Sequence, residues 1–129
     1  RFGPSRLGTI DLSNERFSIH YTRNVVSTDF GGEPCLLVYY DYTNNGSGAS
    51  SAMVDVNLTA YQNGASLEAA IPANSDSAID AFMKEIQPGE TVNVCQAFSL
   101  KDMSPVTLQA VDAFGLDTSV TAVQTLNLQ

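Results

Sequence analysis

The side chains that could carry chemistry in this sequence are few. The chain has one histidine, His20, at a polar position of the alternating run from Phe17 to Thr22. Zinc sites and serine- or cysteine-based hydrolysis usually need a well-placed histidine. We therefore expect His20 to be an ordinary exposed side chain, and we expect no metal site, no cofactor and no catalytic residue.

Acidic residues offer the one alternative. Asp112, Asp117 and Asp102 fall in or beside segments that read as loops at one end of the chain's fold. A pair of carboxylates can hydrolyse a glycosidic bond or hold calcium. The sequence lacks the compact Asp-x-Asp-x-Asp-Gly calcium loop, so solvated loop acids are the simpler interpretation. An enzyme or enzyme inhibitor with a loop-end acidic site at Asp112 and Asp117 remains the alternative.

Two tyrosines are candidate binding residues. Tyr39 and Tyr61 occupy positions opposite in parity to the apolar face of their strands, so they would project from the outer faces of a sheet. Aromatic rings give a large contact area at low entropic cost, which suits a sugar, a peptide or another domain. Cross-strand packing, or cover by the segment 74–87, is the competing interpretation.

Short strands must position these residues, because period-two alternation dominates the chain. Seven runs read as strands, separated by turn signals such as Asn44-Asn45-Gly46 and Gln62-Asn63-Gly64. Helical spacing occurs once, near residues 76–84, and predicts one short helical segment. We therefore predict an all-β, immunoglobulin-like antiparallel β-sandwich of about seven strands over residues 15–129. A closed barrel is the alternative, and residues 1–14 are expected to form a tether or disordered N-terminal segment.

Strand pairing decides whether Cys35 and Cys95 form a disulfide. If 91–100 pairs antiparallel with 35–43, with Asn44 opposite Glu90, then Cys95 faces Tyr39. Cys35 then lies about 13 Å further along its strand. A disulfide needs Cα atoms within about 7 Å, so we predict that both cysteines are free.

Composition restricts the partners. The 129 residues suit one domain, and 6 basic against 14 acidic residues give a net charge of -8. Such a chain is poorly suited to bind nucleic acid or anionic lipid. No apolar run is long enough to span a membrane. Arg1, Arg6, Arg16 and Arg23 all precede residue 24, so the folded part is more acidic still. Since the chain starts at Arg1 without a signal, we expect it to be a mature or truncated fragment.

Four segments together carry a family resemblance. They are Leu37-Val38-Tyr39-Tyr40-Asp41-Tyr42-Thr43-Asn44-Asn45, Thr59-Ala60-Tyr61-Gln62-Asn63-Gly64, Pro88-Gly89-Glu90-Thr91-Val92, and Ser99-Leu100-Lys101-Asp102 followed by Ser104-Pro105-Val106. In this order the chain resembles an uncharacterised immunoglobulin-like domain, a domain of unknown function, of secreted proteins and lipoproteins in Gram-positive bacteria, many from gut Firmicutes. The resemblance covers residues 15–128 and implies a sandwich fold and an extracellular or lipoprotein-anchored, cell-surface location. It supplies no catalytic residues.

The leading functional hypothesis is accordingly a non-enzymatic binding or spacer module outside the cell. Its partner would be a protein or a glycan, and nucleic acid is excluded on charge. A self-assembling structural domain is a further alternative, because edge strands can pair between chains.

Overall fold

Strands in which apolar and polar residues alternate form two stacked sheets in this protein. A computed structural model describes residues 5–115 and 121–128. The described strands are β1 (Ser5–Leu7), β2 (Leu12–Ser13), β3 (Phe17–Thr28), β4 (Pro34–Asn44), β5 (Val56–Gln62), β6 (Ala65–Ser66), β7 (Thr91–Ser99), β8 (Val106–Asp112) and β9 (Thr121–Leu126). Two short helices, α1 (Ala52–Asp55) and α2 (Ser77–Ala81), complete the described elements.

Strand order identifies the sandwich type. One sheet runs β2-β3-β4-β7 and the other runs β1-β9-β8-β5-β6. The orders β3-β4-β7 and β9-β8-β5 match the A-B-E and G-F-C strands of immunoglobulin sandwiches, with β6 beside β5. All pairings are antiparallel except that of β1 with β9. The predicted all-β immunoglobulin-like sandwich is confirmed.

The main core lies between the two sheets. Every even-numbered residue of β5 and β8 is buried, and the odd-numbered residues point outward. Tyr40 and Tyr42 of β4 are fully buried on the inner face, whereas Tyr39 belongs to a second apolar cluster on the outer face of the same sheet. Helix α2 packs across that outer cluster through Ala78 and Ile79.

The N-terminal segment differs from the expected tether. Residues 5–13 contribute β1 and β2, and Ile10 is completely buried in the main core. The Ile10 N–H donates to Gln124 Oε1 at 3.0 Å, and the Gly8 N–H donates to the Val123 carbonyl at 2.9 Å. These contacts give the segment a fixed place that its glycine, proline and serine content does not suggest. Residues 1–4 lie outside the described part of the chain.

Two further local differences have simple causes. The alternation of apolar residues in the sequence extends back to Val54 and predicts a strand there, but Val54 lies in α1, whose N-cap is Ser51, and β5 begins only at Val56. Leu67 to Ile71 would suit a short strand returning after the Asn63-Gly64 turn, but this segment forms only an isolated bridge between Ala69 and Phe98, and the returning strand is β6, just before it. The predicted helical segment near 76–84 is α2, whose N-cap is Asp76. No helix within 5–115 and 121–128 has the length and hydropathy needed to cross a bilayer.

Candidate functional site

A buried charge cluster closes one end of the sandwich. Arg16 precedes β3, Asp55 ends α1 and Asp112 ends β8, and the pairing of Val56 with Asp112 brings the two acids together. Arg16 Nη1 donates to Asp55 Oδ1 at 3.0 Å, and its Nη2 donates to Asp112 Oδ1. Both carboxylate side chains are 3% exposed, against 27% for Arg16. One guanidinium therefore serves two buried carboxylates.

The remaining oxygens of these carboxylates also have donors. The Tyr42 hydroxyl donates to Asp55 Oδ2, and Asn14 Nδ2 donates to Asp112 Oδ2 at 3.2 Å. Burial, followed by this hydrogen bond to Asp55, raises the pKa of Tyr42 well above its ordinary value, so the phenol stays a donor. All four carboxylate oxygens are satisfied within the protein. This arrangement suits a structural clamp better than a general acid or base, which must reach a substrate.

Aromatic rings enclose the guanidinium. The Arg16 Cζ lies 5.6 Å from the Phe17 ring centroid and 4.5 Å from that of Phe114. The Phe114 ring is 57% exposed. It forms one wall of an open depression of about 640 Å³, which Val54 and the loop 44–50 also line. Arg16 and Asp55 thus lie beside an open recess while bonded to each other.

Asn44 fixes the loop over this depression. Its Nδ2 donates to the carbonyls of Gly48, at 2.9 Å, and Ile86, at 3.1 Å. Its Oδ1 accepts from the Gly46 N–H at 2.9 Å. The wall of the depression is therefore held by a buried amide, which gives it a defined shape.

The two expected loop acids that the structure describes, Asp102 and Asp112, do not form a site together. Asp112 is buried in the charge cluster, whereas Asp102 is exposed and accepts from the Ser104 N–H at 2.8 Å. Hydrogen bonds from the Ser104 side chain and backbone lower the pKa of Asp102. Asp117 lies outside the described residues. Within the described part of the chain, no three His, Cys, Asp or Glu side chains come together as a metal site.

Tyr39 projects from the outer face of its sheet, but α2 covers it. Its side chain is 3% exposed, and its hydroxyl donates to Asp76 Oδ2 at 2.6 Å. The Arg23 guanidinium lies over the ring, 3.8 Å from its centroid. Tyr39 is thus a packing residue of the outer cluster, and its assignment to an exposed binding surface is corrected.

Tyr61 lies on the opposite side of the molecule. It is half-buried and points outward from β5, which belongs to the other sheet. Because Tyr39 and Tyr61 face away from each other across the sandwich, they do not form one surface. Only Tyr61 keeps its place as a candidate ligand contact.

Both cysteines are free in the structure. The register pairs Cys95 with Tyr39 and Cys35 with Ser99, as the strand pairing inferred from sequence required. Burial raises the pKa of both thiols, that of Cys95 to about 12. A thiol with so high a pKa is not an activated nucleophile.

His20 is exposed, as its position in the alternating run indicates. Its Nδ1 lies 2.7 Å from Asp11 Oδ2, and its side chain is 68% exposed. This pairing leaves the ring at the solvent boundary, with Asp41 as its cross-strand neighbour on β4.

Sequence reasoning missed the charge cluster, although one signal was present. In β8 the buried positions are Val106, Leu108, Ala110 and Asp112, so a carboxylate occupies the last inward position of the strand. A charged residue at an inward-facing position of a strand needs a buried counter-charge or hydrogen-bond partner. Nothing in the spacing identifies Arg16 as that partner, because the two residues are brought together only by the sheet packing.

Comparison with known proteins gives a family and a fold. A protein-family model described as domain of unknown function (DUF5067) matches residues 6–112. Among curated proteins, none matches the chain. A candidate lipoprotein from Staphylococcus aureus superposes with a TM-score of 0.74 at 7% identity, covering 95% of this chain and 91% of that one.

Two further solved structures share the fold. An uncharacterised β-sandwich protein from Clostridium difficile gives a TM-score of 0.67 at 13% identity, covering 98% of this chain and 97% of that one. A candidate lipoprotein from Bacillus subtilis gives 0.69 at 11% identity. It covers 94% of this chain, which spans only 39% of that protein. At such identities the likeness shows the sandwich fold alone.

Proposed function

The chain belongs to the family of domain of unknown function DUF5067, whose model matches residues 6–112. We propose that it is a non-enzymatic binding or spacer module carried outside a bacterial cell. The candidate lipoproteins of Staphylococcus aureus and Bacillus subtilis that share its fold support a cell-surface, lipoprotein-borne location. The acidic, lysine-poor composition agrees with partners other than nucleic acid.

One observation carries the non-enzymatic part of the proposal. Asp55, Asp112 and Tyr42 are the groups best suited to acid–base chemistry. Arg16 donates to both carboxylates, and the Tyr42 hydroxyl donates to Asp55. A catalytic acid or base must exchange a proton with a bound substrate, which requires a free lone pair or proton at the surface of a cleft. Here the carboxylate lone pairs and the phenol proton are taken up by hydrogen bonds within the protein. The cluster therefore supports a role in holding the end of the sandwich closed.

The experiment tests binding and turnover together. The purified chain is incubated with cell-wall glycans, host glycoproteins and peptides. Each ligand is then recovered, and its molecular mass is measured by mass spectrometry. We expect saturable binding of a ligand that is recovered unchanged. Chemical conversion that stops in Asp112→Asn, in a variant that remains folded by circular dichroism, would overturn the proposal. Absence of all binding would leave only the spacer role.

A further inference from the structure

The outward face of β5, β8 and β9 differs from the rest of the surface. It consists of the odd-numbered residues 57–61, 107–111 and 121–125, three on each strand, and we call it the neutral face. These positions hold threonine, asparagine, glutamine, tyrosine and valine, and none is charged, in a chain with a net charge of -8. Seven of the nine carry a hydroxyl or an amide.

The polar side chains of the neutral face have no hydrogen-bond partner in the described part of the chain. None of its side chains hydrogen-bonds to another described residue, although each is half-buried or exposed. The outer face of the other sheet behaves differently, because Thr43 there bonds to Thr91 at 2.7 Å and Asn93 bonds to Asp41 at 3.0 Å. Hydroxyls and amides, which act as both donors and acceptors, are therefore available for a ligand across the neutral face.

The neutral face is also regular. Thr59 pairs with Gln109, and Gln109 pairs with Val123, in ladders whose registers show no shift. The β3–β4 ladder, in contrast, shifts register between Tyr21 and Arg23. A regular sheet repeats side chains about 4.8 Å across strands and about 6.7 Å along them. This spacing presents a regular array of side chains that an extended polymer can follow.

We propose that the neutral face binds a segment of an uncharged polysaccharide. Sugar hydroxyls both donate and accept, which matches the threonine, asparagine and glutamine side chains of this face. The Tyr61 ring at its edge offers a flat apolar surface to the C–H face of a sugar. Because the neutral face and the polymer are both uncharged, their contact buries no charge and has no charge-desolvation cost. The net charge of -8, in contrast, repels anionic polymers.

A second copy of the chain fits this face less well. Val111, Val123 and the Tyr61 ring are its only large apolar groups, whereas homodimer interfaces are more apolar than the average surface. The assignment rests on the proposed binding function and adds the site and the ligand class.

The test uses the full chain with soluble neutral and anionic polymers. Dextran, laminarin and galactomannan are the neutral probes, polygalacturonate and heparin are the anionic ones, and affinity electrophoresis measures binding. Gln109→Glu places one charge at the centre of the neutral face, and Gln87→Glu makes the same change at an exposed turn elsewhere. We expect at least one neutral polymer to bind, about ten-fold more weakly to Gln109→Glu and Tyr61→Ala, and unchanged to Gln87→Glu.

Three results would overturn the assignment. These are no binding of any neutral polymer, equal binding by Gln109→Glu and wild type, or stronger binding of the anionic polymers. A dimer in light scattering that Gln109→Glu dissociates would assign the face to a second copy instead. Should the chain bind a peptide or glycoprotein equally well with or without Gln109→Glu, the polysaccharide assignment fails while the broader binding function stands.

Discussion

Arg16 shows how a single residue can organise one end of a sandwich. Its fork bonds both Asp55 and Asp112, and a planar guanidinium is the side chain best shaped for two carboxylates at once. Buried ion pairs add little compared with apolar packing, but removing one partner leaves the other charge uncompensated. The cluster is thus more important as a constraint than as a net source of stability.

For Arg16→Leu we expect the free energy of unfolding to fall by about 3–5 kcal/mol, because two buried carboxylates lose their counter-charge. Urea titration followed by circular dichroism measures the change. Arg23→Leu is the matched control, since its exposed guanidinium stacks on Tyr39 and its loss should cost about 1 kcal/mol or less. Equal losses of unfolding free energy in the two variants would show that the buried carboxylates do not depend on Arg16 as their counter-charge.

At the same scale, the two thiols should resist alkylation. Cys35 is completely buried and Cys95 is 3% exposed, and burial raises the pKa of both. We expect iodoacetamide at pH 8 to leave the folded chain unmodified and to add two groups in urea, as counted by mass spectrometry. Rapid labelling of the folded chain would contradict the buried placement.

At the scale of elements, α2 is a cover for the outer cluster. Asp76 caps the helix by accepting a hydrogen bond from the Ile79 N–H at 2.8 Å. It also accepts one from the Tyr39 hydroxyl. One carboxylate therefore fixes the start of the helix and ties it to β4. The helix is too short to persist without such contacts.

We expect Asp76→Ala to cost about 1–2 kcal/mol in the free energy of unfolding and Asp76→Asn to cost less, since asparagine also caps helices. Burial alone would raise the pKa of Asp76, but hydrogen bonds from Tyr39 and the Ile79 and Ala78 N–H groups outweigh it and lower the pKa. Its contribution is therefore present above the ordinary value of 3.8 and is lost as the pH falls through the lower folded value. The difference between wild type and Asp76→Asn, measured by urea titration, should narrow below about pH 4; a constant difference from pH 2 to 7 would contradict this.

The whole molecule holds several weak acids neutral, and this predicts its alkaline behaviour. Burial raises the pKa of Cys95 and Tyr39 to about 12, from 9.0 and 10.0. Groups with raised folded pKa values contribute stability below the unfolded values and lose it as the pH rises through the folded ones.

We therefore expect the free energy of unfolding to be steady below pH 9 and to fall between pH 9 and 12. Guanidinium titrations at half-unit intervals measure this profile. In Cys95→Ala the part of the decline that begins near pH 9 should be smaller but still present, because the pKa of the buried Cys35 thiol is also raised above 9.0. A profile identical to that of wild type would remove Cys95 from the explanation.

Much of the fold was legible in the sequence because strands have a short, local period. The alternation of Leu58 and Ala60 with Thr59 and Tyr61 fixed which face of β5 is buried, and turn residues marked where strands end. The segment at Ile10 was not legible, because two- and three-residue strands are too short to show a period. Val54 was misassigned because one helical turn interrupts the alternation without an apolar signal of its own.

The sequence by itself determined the class of fold, the acidic surface, the family and the registration of Cys95 with Tyr39. The family rests on the resemblance of four segments, and the others follow from composition or from strand periodicity. Only the tertiary structure decided that Arg16 joins Asp55 and Asp112, that α2 covers Tyr39, and that the outward residues of β5, β8 and β9 form one neutral face. These are contacts between residues far apart in the chain, and packing the two sheets and their covering helix is what brings them together.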